Sequence, residues 1–375
     1  MEYRRLGRTG LDVSVIGPGT EYLNWRPRKT VVSVVHEAIE QGVNYIDLVF
    51  AFPEYRDNFG AALQGYRDKV ILSGHVCTGE TDGHYRLTRD VQENEGLFLD
   101  LLSRLHTDYV DLLFIQMVNS EESYETVTRP GGLMEMALRF KKEGKARFIG
   151  MSGHKPPAVL MAVQSGQVDV FMFPINLAWD FAPGRKEVLQ ACASHGVGLV
   201  AMKPFAGGRI FQKRRVGTAT PVQCIHYVLS QPGVSTAVPG VKNSSQLREV
   251  LNYASATTEE KDFQSLVADL QQDIQGNCVY CNHCAPCPVG IDIGQTIRRL
   301  DTVRHKVSDN GQGHKALQAK VNFYYPGRIR TGSGHSRSRS AKPSACIECG
   351  VCMERCPFDV DVIAKMRQAV EWLVG

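Results

Sequence analysis

Residues 90–116 read DVQENEGLFLDLLSRLHTDYVDLLFIQ and contain one helical pattern followed by one strand pattern. Apolar side chains recur at three- and four-residue spacing over Asp90–Leu105, which is the period of an amphipathic helix. Val110–Ile115 is a short apolar run, typical of a strand that is buried on both faces. The segment therefore predicts a crossover helix that leads into a parallel strand.

The same alternation continues on both sides of this segment. Eight candidate strands are Val13–Ile16, Tyr45–Val49, Val70–Ser73, Val110–Ile115, Phe148–Met151, Val170–Phe173, Gly198–Met202 and Ser235–Val238. Further helical patterns lie at Thr30–Gln41, Leu133–Glu143 and Gln246–Tyr253. Eight units in about 240 residues predict an α/β fold with a (β/α)8 TIM barrel over residues 1–256, because a doubly wound sheet usually has fewer strands and a glycine-rich first turn.

Composition excludes several classes of partner. The chain of 375 residues has 43 Lys and Arg against 39 Asp and Glu, and a net charge of +4 is too small to favour nucleic acid. No apolar run approaches the roughly 18 residues of a membrane span. The start MEYRRLGRTG lacks the apolar core of a signal peptide. We expect a cytoplasmic protein that acts on a small molecule.

Eight of the 11 cysteines form two short clusters, each closed by a proline. The first contains Cys278, Cys281, Cys284 and Cys287, and the second contains Cys346, Cys349, Cys352 and Cys356. The second has the ferredoxin spacing C-x2-C-x2-C-x3-C-P, and the first is one residue shorter. In a reducing compartment, clustered thiols bind metal more often than they form disulfides. Zinc sites rarely have this cysteine spacing. The pattern predicts two [4Fe-4S] clusters.

The two cysteine runs are expected to share their last ligands. In two-cluster ferredoxins the fourth cysteine of each run ligates the other cluster. One cluster would then be held by Cys278, Cys281, Cys284 and Cys356, and the other by Cys346, Cys349, Cys352 and Cys287. Both belong to a helical and ferredoxin-like domain predicted over residues 257–375, with helical patterns at Thr258–Gln275, Ile291–His305 and His314–Phe323.

The stretch GRIRTGSGHSRSRSAK, residues 327–342, is basic and rich in Gly and Ser. Its charges are Arg328, Arg330, Arg337, Arg339 and Lys342. Such a composition is typical of an exposed loop. It is either a solvated linker or a docking strip, residues 328–342, for an acidic redox partner or an anionic ligand.

A barrel places its chemistry just beyond the carboxyl ends of its strands. The side chains at those positions are Asp47, His75, Cys77, Gln116, Ser152, Gly153, His154, Asn176 and Lys203. We therefore expect these residues to surround the mouth. Cys77 is a candidate nucleophile there.

Four segments resemble the aldo-keto reductases. They are GVNYIDLVFAF (42–52), LHTDYVDLLFIQ (105–116), KARFIGMSGH (145–154) and VAMKPFAGG (200–208), at the ends of strands two, four, five and seven. The cysteine-rich tail resembles the iron–sulfur branch of the same superfamily. The resemblance covers essentially the whole chain and implies an oxidoreductase.

The resemblance implies a catalytic tetrad that is degenerate in this chain. Asp47 matches the family's aspartate, but Phe52, His75 and Gln116 replace its tyrosine, lysine and histidine. Phenylalanine has no proton to give, and positioned acid catalysis is typically worth about 10²- to 10⁴-fold. His75 or Tyr55 could instead donate the proton, and Gln116 could hydrogen-bond a substrate oxygen.

The resemblance also implies a nicotinamide site, retained in part. Ser152, Asn176 and Lys203 stand near the expected nicotinamide ring. In VPGVKNSSQLREV, residues 238–250, the candidates for the adenine and 2′-phosphate end are Lys242, Gln246, Arg248 and Glu249. NADP(H) or NAD(H) would bind there. The alternative is that this chain binds neither nucleotide.

The sequence leaves three functions open. The first is an oxidoreductase that acts on a small carbonyl or hydroxyl compound in the barrel mouth, with electrons passed through the two clusters. The second is a non-catalytic electron-transfer or partner subunit. The third is a lyase or dehydratase that uses Asp47 and His75 as an acid–base pair.

Overall fold

The computed structural model describes residues 1–81, 84–178, 183–211, 218–267, 278, 284, 287–310, 341–354, 356 and 360–373. Contacts divide the chain into two compact units, Met1–Asp180 with Gly184–Val267 and Phe181–Pro183 with Ala268–Gly375. Residues 257–267 are grouped with the first unit. The domain division predicted after residue 256 stays a prediction.

The first unit is built around a parallel sheet. The strands described are β1 (Tyr3–Arg5), β2 (Asp12–Ser14), β3 (Tyr45–Leu48), β4 (Ile71–Val76), β5 (Thr78–Thr81), β6 (His84–Leu87), β7 (Val110–Ile115), β8 (Ala146–Ser152), β9 (Val170–Pro174), β10 (Gly198–Met202) and β11 (Val234–Val238). Seven of them form one sheet in the order β11, β10, β9, β8, β7, β4, β3, with parallel neighbours throughout. This nearly closed sheet confirms the barrel and seven of its eight predicted strands.

The first barrel strand, predicted at Val13–Ile16, is wrong in its position. Asp12–Ser14 pairs antiparallel with Tyr3–Arg5 in an N-terminal hairpin. The sheet is closed instead by a segment at residues 16–19, which makes isolated parallel bridges from Ile16 to Ala237 and from Gly19 to both Gly240 and Asp47. This closing segment lies between the two edge strands, β3 and β11.

The sequence Gly17-Pro18-Gly19 explains why the closing segment is not a regular strand. A Cβ on Gly17 would lie 2.6 Å from the carbonyl oxygen of Tyr45, and one on Gly19 would lie 2.7 Å from that of Val238. Pro18 has no N–H to give to a ladder. The segment therefore approaches both edges closely, and its amides at Gly17 and Gly19 donate to the carbonyls of Ala237 and Pro239 on the β11 side.

Helices cover the outside of the sheet. They are α1 (Arg28–Glu40), α2 (Pro53–Leu63), α3 (Val91–Arg104), α4 (Glu121–Thr128), α5 (Leu133–Lys142), α6 (Pro156–Gln164), α7 (Arg185–Ser194), α8 (Pro221–Leu229), α9 (Ser244–Leu251) and α10 (Thr258–Lys261). The predicted helices of the barrel are confirmed at α1, α3, α5 and α9. At α3 the Asp90 side chain accepts a hydrogen bond from the Glu93 amide and so begins the helix. The segment predicted as a helix over Thr258–Gln275 is helical at Thr258–Lys261 and again at 264–267, and its residues after 267 lie outside the described ones.

One element after β4 has no counterpart among the predicted ones. β5 and β6 form an antiparallel hairpin, in register from Thr78 opposite Leu87 to Thr81 opposite His84. The hairpin follows the carboxyl end of a barrel strand and so belongs to the side of the barrel where a site is expected.

The second unit is helical in its described part. Its helices are α11 (Ile293–Asn310), α12 (Val351–Glu354) and α13 (Val362–Leu373). Leu300 and Val303 of α11 pack on Ala369 and Leu373 of α13 in a small apolar core. The helix predicted over Ile291–His305 is confirmed, whereas the one over His314–Phe323 lies outside the described residues. The ferredoxin-like fold stays a prediction. None of the helices in the described part of the chain is long and apolar enough to cross a membrane.

Candidate active site and cysteine cavity

Asp47 and His75 meet at the carboxyl ends of neighbouring strands. Asp47 on β3 stands opposite Ser73 on β4, and His75 follows two residues later on the same face. The His75 Nε2 atom lies 2.7 Å from Asp47 Oδ1, and both residues are buried. Ser73 Oγ donates to the same oxygen at 2.6 Å. The structure therefore brings together the two acid–base residues that were predicted, with a third polar group that was not.

The ring of His75 is held by packing. It stacks on Phe114 of β7, with ring centroids 4.9 Å apart and planes 20° apart. A Cβ on Gly150, opposite Phe114 on β8, would lie 2.5 Å from the Phe114 ring. His75 Nδ1 is buried, and among the described residues it has no hydrogen-bond partner. The two nitrogens of the imidazole therefore differ, since Nε2 is bound to the carboxylate and Nδ1 makes no hydrogen bond within the described part of the chain.

In the described part of the chain, the Tyr55 hydroxyl makes no hydrogen bond to the Asp47 carboxylate. Its hydroxyl is bonded to Thr20 Oγ1 and accepts from the Val49 amide at 3.3 Å. Thr20 Oγ1 in turn donates to the Asp47 carbonyl oxygen. Burial raises the pKa of Tyr55 well above its ordinary value. The hydroxyl is thus part of the packing below the mouth, and its predicted catalytic role stays a prediction.

Phe52 stands in an aromatic group at the mouth. Its ring lies 5.3 Å from that of Phe50 and 5.4 Å from that of Trp25, which is 73% exposed. Gln116 Nε2 donates to Thr78 Oγ1 of the hairpin and to the Val49 carbonyl at 3.4 Å. The Gln116 amide therefore ties the hairpin to the end of β3. Burial raises the pKa of Cys77 to about 11, so its thiol is a poor nucleophile at neutral pH.

The residues predicted near the nicotinamide ring are bonded to backbone. Asn176 Nδ2 donates to the Lys203 carbonyl at 3.1 Å, and its Oδ1 accepts from the Ala178 amide at 3.1 Å. Ser152 is buried at the end of β8, and its carbonyl accepts from the Val118 amide. The Ser152 backbone thus holds the loop after β7, and the Asn176 side chain connects the loops after β9 and β10.

A histidine–lysine pair that the sequence did not reveal lies nearby. Lys203 Nζ is 2.8 Å from His154 Nε2, and His154 Nδ1 is 3.2 Å from Asn119 Oδ1. Since the asparagine oxygen only accepts, Nδ1 carries the proton and Nε2 accepts from the lysine. Burial, with Lys203 and Arg185, lowers the pKa of His154 to about 3. His154 is therefore neutral at physiological pH.

The residues predicted for the adenine end gather at the start of α9. Gln246 Oε1 accepts from the Lys242 amide at 3.0 Å. Arg248 is bound through two nitrogens to the carboxylate of Glu37 on α1, although it remains 68% exposed. Glu249 is exposed. A phosphate at this end would compete with Glu37 for Arg248.

Four cysteines of the second unit line one cavity. Its lining consists of Cys287, Cys346, Cys349 and Cys352 together with apolar side chains such as Ile291, Val362 and Met366. Burial raises the pKa of Cys352, and the neighbouring Cys346, Cys349 and Cys287 thiols add to this effect. As placed, no three His, Cys, Asp or Glu side chains among the described residues are arranged to hold a metal ion.

The other predicted set of four is described in part. Cys278 and Cys356 are half-buried and Cys284 is buried. Cys281 lies outside the described residues, as does the basic loop 328–342 except for Ala341 and Lys342 at its end.

Comparison with known proteins identifies the family. The model of the aldo/keto reductase family matches residues 15–222, more than half of the chain. The chain is 26% identical over 311 residues to the uncharacterized oxidoreductase YqkF of Bacillus subtilis, covering 73% of this chain and 98% of that protein. It is also 26% identical over 301 residues to L-galactose dehydrogenase of Arabidopsis thaliana, covering 69% and 89%.

A solved structure shows the same fold. The aldo-keto reductase AKR11C1 from Bacillus halodurans, in its holo form, superposes with a TM-score of 0.61 at 21% identity, over 72% of this chain and 96% of that one. At this identity the likeness supports the fold, and the family match rests on the sequence. The chain belongs to the aldo/keto reductase family and is an oxidoreductase.

Proposed function

We propose that this chain is an iron–sulfur oxidoreductase that interconverts a small carbonyl compound and its hydroxyl counterpart in the barrel mouth. The observation that carries the proposal is the buried Asp47–His75 pair at the carboxyl ends of β3 and β4. The pair takes the place of the tyrosine acid that Phe52 cannot supply. Proton transfer by a positioned group is typically worth about 10²- to 10⁴-fold.

The orientation of His75 defines the atom that exchanges the proton. Nε2 carries a hydrogen because it faces the acceptor oxygen of Asp47 at 2.7 Å. Nδ1 is then the free position. In the reduction, a hydride adds to the carbonyl carbon and the Nδ1 proton of the imidazolium passes to the oxygen. In the oxidation, Nδ1 takes the hydroxyl proton as the hydride leaves.

Asp47 stabilises the imidazolium form in this scheme. The pair lies in a largely apolar barrel, where a charge–charge interaction is less screened than in water. Because Nδ1 is closed off from solvent, a substrate oxygen has to displace the groups that cover it. Once in place, that oxygen would be shielded from bulk water.

A nicotinamide nucleotide is the hydride source that the family implies. Ser152, Asn176 and Lys203 would hold its ring, and Lys242, Gln246, Arg248 and Glu249 its adenine end. When bound, it would supply or accept a hydride. The contacts of Asn176 with two loops and of Arg248 with Glu37 mean that these residues either shape the pocket indirectly or exchange partners on binding.

The cysteine cavity supports a cluster in the second unit. Its donors are thiols, and the rest of its lining is largely apolar, which suits a [4Fe-4S] group. We assign Cys346, Cys349, Cys352 and Cys287 to this cluster, and Cys278, Cys281, Cys284 and Cys356 to a second one. The clusters would supply single electrons. The thiols have to draw together around the metal, since they are not arranged to hold it as placed.

The first experiment is an anaerobic titration of the cluster-loaded protein with NADPH and then NADH. Nucleotide binding and cluster absorbance are followed together. We expect the nucleotide to bind and the cluster absorbance to bleach. This result would show that electrons pass from the nicotinamide to the clusters. If neither nucleotide binds, hydride transfer from a nicotinamide is excluded.

Replacement of His75 tests the proton step. His75→Ala should lower the turnover of a bound substrate at least 100-fold, at the low end of acid–base effects. The matched control is His195→Ala, which removes an exposed histidine after α7. Full activity of His75→Ala would remove the imidazole from the mechanism.

We also propose that an acidic redox partner docks on the basic loop 328–342. The proposal rests on the sequence, because Arg328, Arg330, Arg337 and Arg339 lie outside the described residues. Neutralising Arg337 and Arg339 together should slow electron transfer to an acidic carrier at low salt. An unchanged salt dependence would exclude this loop as the docking strip.

A further inference from the structure

A line of polar side chains runs into the barrel from the candidate active site. Tyr45, Asp47, Ser73 and His75 are all nearly inaccessible, at 0%, 5%, 0% and 3% exposure. They alternate along β3 and β4 and therefore point to the same face of the sheet. Their neighbours in the barrel core are apolar, including Leu112, Phe114 and Val200.

The hydrogen-bond distances give this line a direction. Ser73 Oγ lies 2.6 Å from Asp47 Oδ1, and it can donate because the carboxylate oxygen accepts. The Tyr45 hydroxyl donates to Ser73 Oγ at 3.3 Å. The Ile46 carbonyl, at 3.4 Å, is the weaker alternative acceptor for the serine proton. The order is thus Tyr45 to Ser73 to Asp47, with His75 donating to the same oxygen from the other side.

Tyr45 is suited to remain the donor at the start of this line. Burial, reinforced by the nearby Asp47 carboxylate, raises its pKa well above the ordinary value. The phenol therefore keeps its proton over the working pH range. The Ser73 oxygen accepts a hydrogen bond from this tyrosine. The single proton of the Ser73 hydroxyl is then available to donate to Asp47.

We propose that Ser73, backed by Tyr45, is a positioning residue for the Asp47–His75 pair. Its hydrogen bond fixes the rotation of the carboxylate, so that Oδ1 faces Nε2 and the imidazole presents Nδ1 to the substrate. Ser73 does not touch the reacting atoms. This inference rests on the proposed function for its catalytic meaning, whereas the geometry of the pair can be measured without any substrate.

The first test is spectroscopic and uses the full chain. The Nε2 proton of His75, bonded to a carboxylate and shielded from water, should give a downfield ¹H resonance in ¹⁵N-histidine-labelled protein, assigned by its loss in His75→Ala. In Ser73→Ala this resonance should move upfield and broaden, because the carboxylate can rotate. Tyr45→Phe should move it in the same direction by a smaller amount, and it serves if Ser73→Ala does not fold.

The second test is kinetic. Ser73→Ala should lower kcat about tenfold, as expected for one lost hydrogen bond to a charged group, with KM nearly unchanged. Ser73→Thr, which keeps the hydroxyl, should restore most of the activity. The pH profile of kcat should shift in Ser73→Ala and not in Ser73→Thr.

The matched control is Thr236→Val on β11. Thr236 is also fully buried, and its hydroxyl has no hydrogen-bond partner among the described residues. Removing it should change neither the resonance nor kcat. An unmoved resonance in both Ser73→Ala and Tyr45→Phe would overturn the proposal. A moved resonance with an active His75→Ala would instead leave the positioning intact and overturn the proposed function.

Discussion

His75 differs in kind from the lysine that the family resemblance places at its position. A lysine next to Asp47 would be a fixed cation with donors only, whereas an imidazole has two distinct nitrogens. One of them is bound to the carboxylate at 2.7 Å, and the other has no partner in the described part of the chain. Under the proposed function, His75 would therefore replace a charge that supports a proton donor by a group that can itself carry the proton.

His154 predicts a pH dependence of stability. Its pKa falls from 6.5 to about 3 on folding, mainly through burial. Between these values the unfolded chain binds a proton that the folded chain does not, so the free energy of unfolding decreases as the pH falls through this range. His154→Asn should flatten that decrease, as measured by urea unfolding from neutral pH to about pH 4.

His195→Asn is the control for this measurement, because His195 is an exposed histidine after α7. It should keep the wild-type slope of the free energy of unfolding against pH. A wild-type slope in His154→Asn would contradict the assignment of a half-buried, neutral imidazole.

At the scale of single residues, the sequence predicted Asp47 and His75 because strand ends mark the mouth of a barrel. It did not predict Ser73, although this residue stands two positions before His75 and so shares its face. The signal was present in the strand period. The contact of His154 with Lys203 joins residues 49 positions apart, and no local pattern indicates such a pair.

Among the elements, β8 and β7 support the active site through a glycine. Gly150→Ala would place a methyl group 2.5 Å from the Phe114 ring, on which His75 stacks. Overpacking of this kind costs about 1–3 kcal/mol of unfolding free energy. We expect that loss together with a lower kcat, since Phe114 and His75 have to shift.

Gly96→Ala on α3 is the matched glycine substitution. Nothing lies within 4 Å of a Cβ at this position, and alanine favours the helix by about 0.5–1 kcal/mol. Urea unfolding should show Gly96→Ala to be more stable than the wild type. An unchanged free energy of unfolding in Gly150→Ala would show that the Phe114 ring can move away from a methyl group at residue 150.

Arg56 joins α2 to α3 through a buried guanidinium. It is 1% exposed, pairs with Asp100 at 2.7 Å and donates to the carbonyls of Leu97 and Phe50. Arg56→Met removes the guanidinium from all three acceptors and leaves Asp100 paired with Arg104 alone. Its free energy of unfolding should fall by about 1–3 kcal/mol in urea titrations, because buried acceptors lose a charged donor.

Arg104→Met is the comparison for Arg56→Met, because Arg104 pairs with Asp57 and Asp100 while remaining about a third exposed. A partly exposed pair contributes about 1 kcal/mol or less. Equal losses in the two variants would mean that burial is not the cause.

The periodicity of apolar residues predicted the helices and seven barrel strands. It did not predict two other elements. The first strand is displaced because Gly17-Pro18-Gly19 closes the sheet through close approach and not through propensity. The β5–β6 hairpin is held by contacts such as that of Gln116 with Thr78, far apart in sequence. Both depend on tertiary packing, which a local pattern does not contain.

At the scale of the whole molecule, the barrel and the cysteine-bearing unit have separate cores. Cys346→Ser should therefore lower the iron content to about half, by removing one of the two proposed clusters. The near-ultraviolet circular dichroism of the barrel aromatics should be retained. Iron analysis and absorbance of the anaerobically purified protein measure the effect.

Cys192→Ser is the control for the cluster variant. Cys192 is a buried barrel thiol, and burial raises its pKa to about 12. This variant should keep the full iron content. A wild-type iron content in Cys346→Ser would exclude this thiol as a ligand.

The closing segment at residues 16–19 has a consequence for motion. Residues 15–19 make four backbone hydrogen bonds to residues 237–241 on the β11 side, whereas on the β3 side the bridge of Gly19 with Asp47 is isolated. Amide protons along this seam should exchange with solvent sooner than those of β7 and β8. Asp47 itself forms one of the bridges. An opening of the seam on the β3 side would therefore loosen the strand that holds the carboxylate.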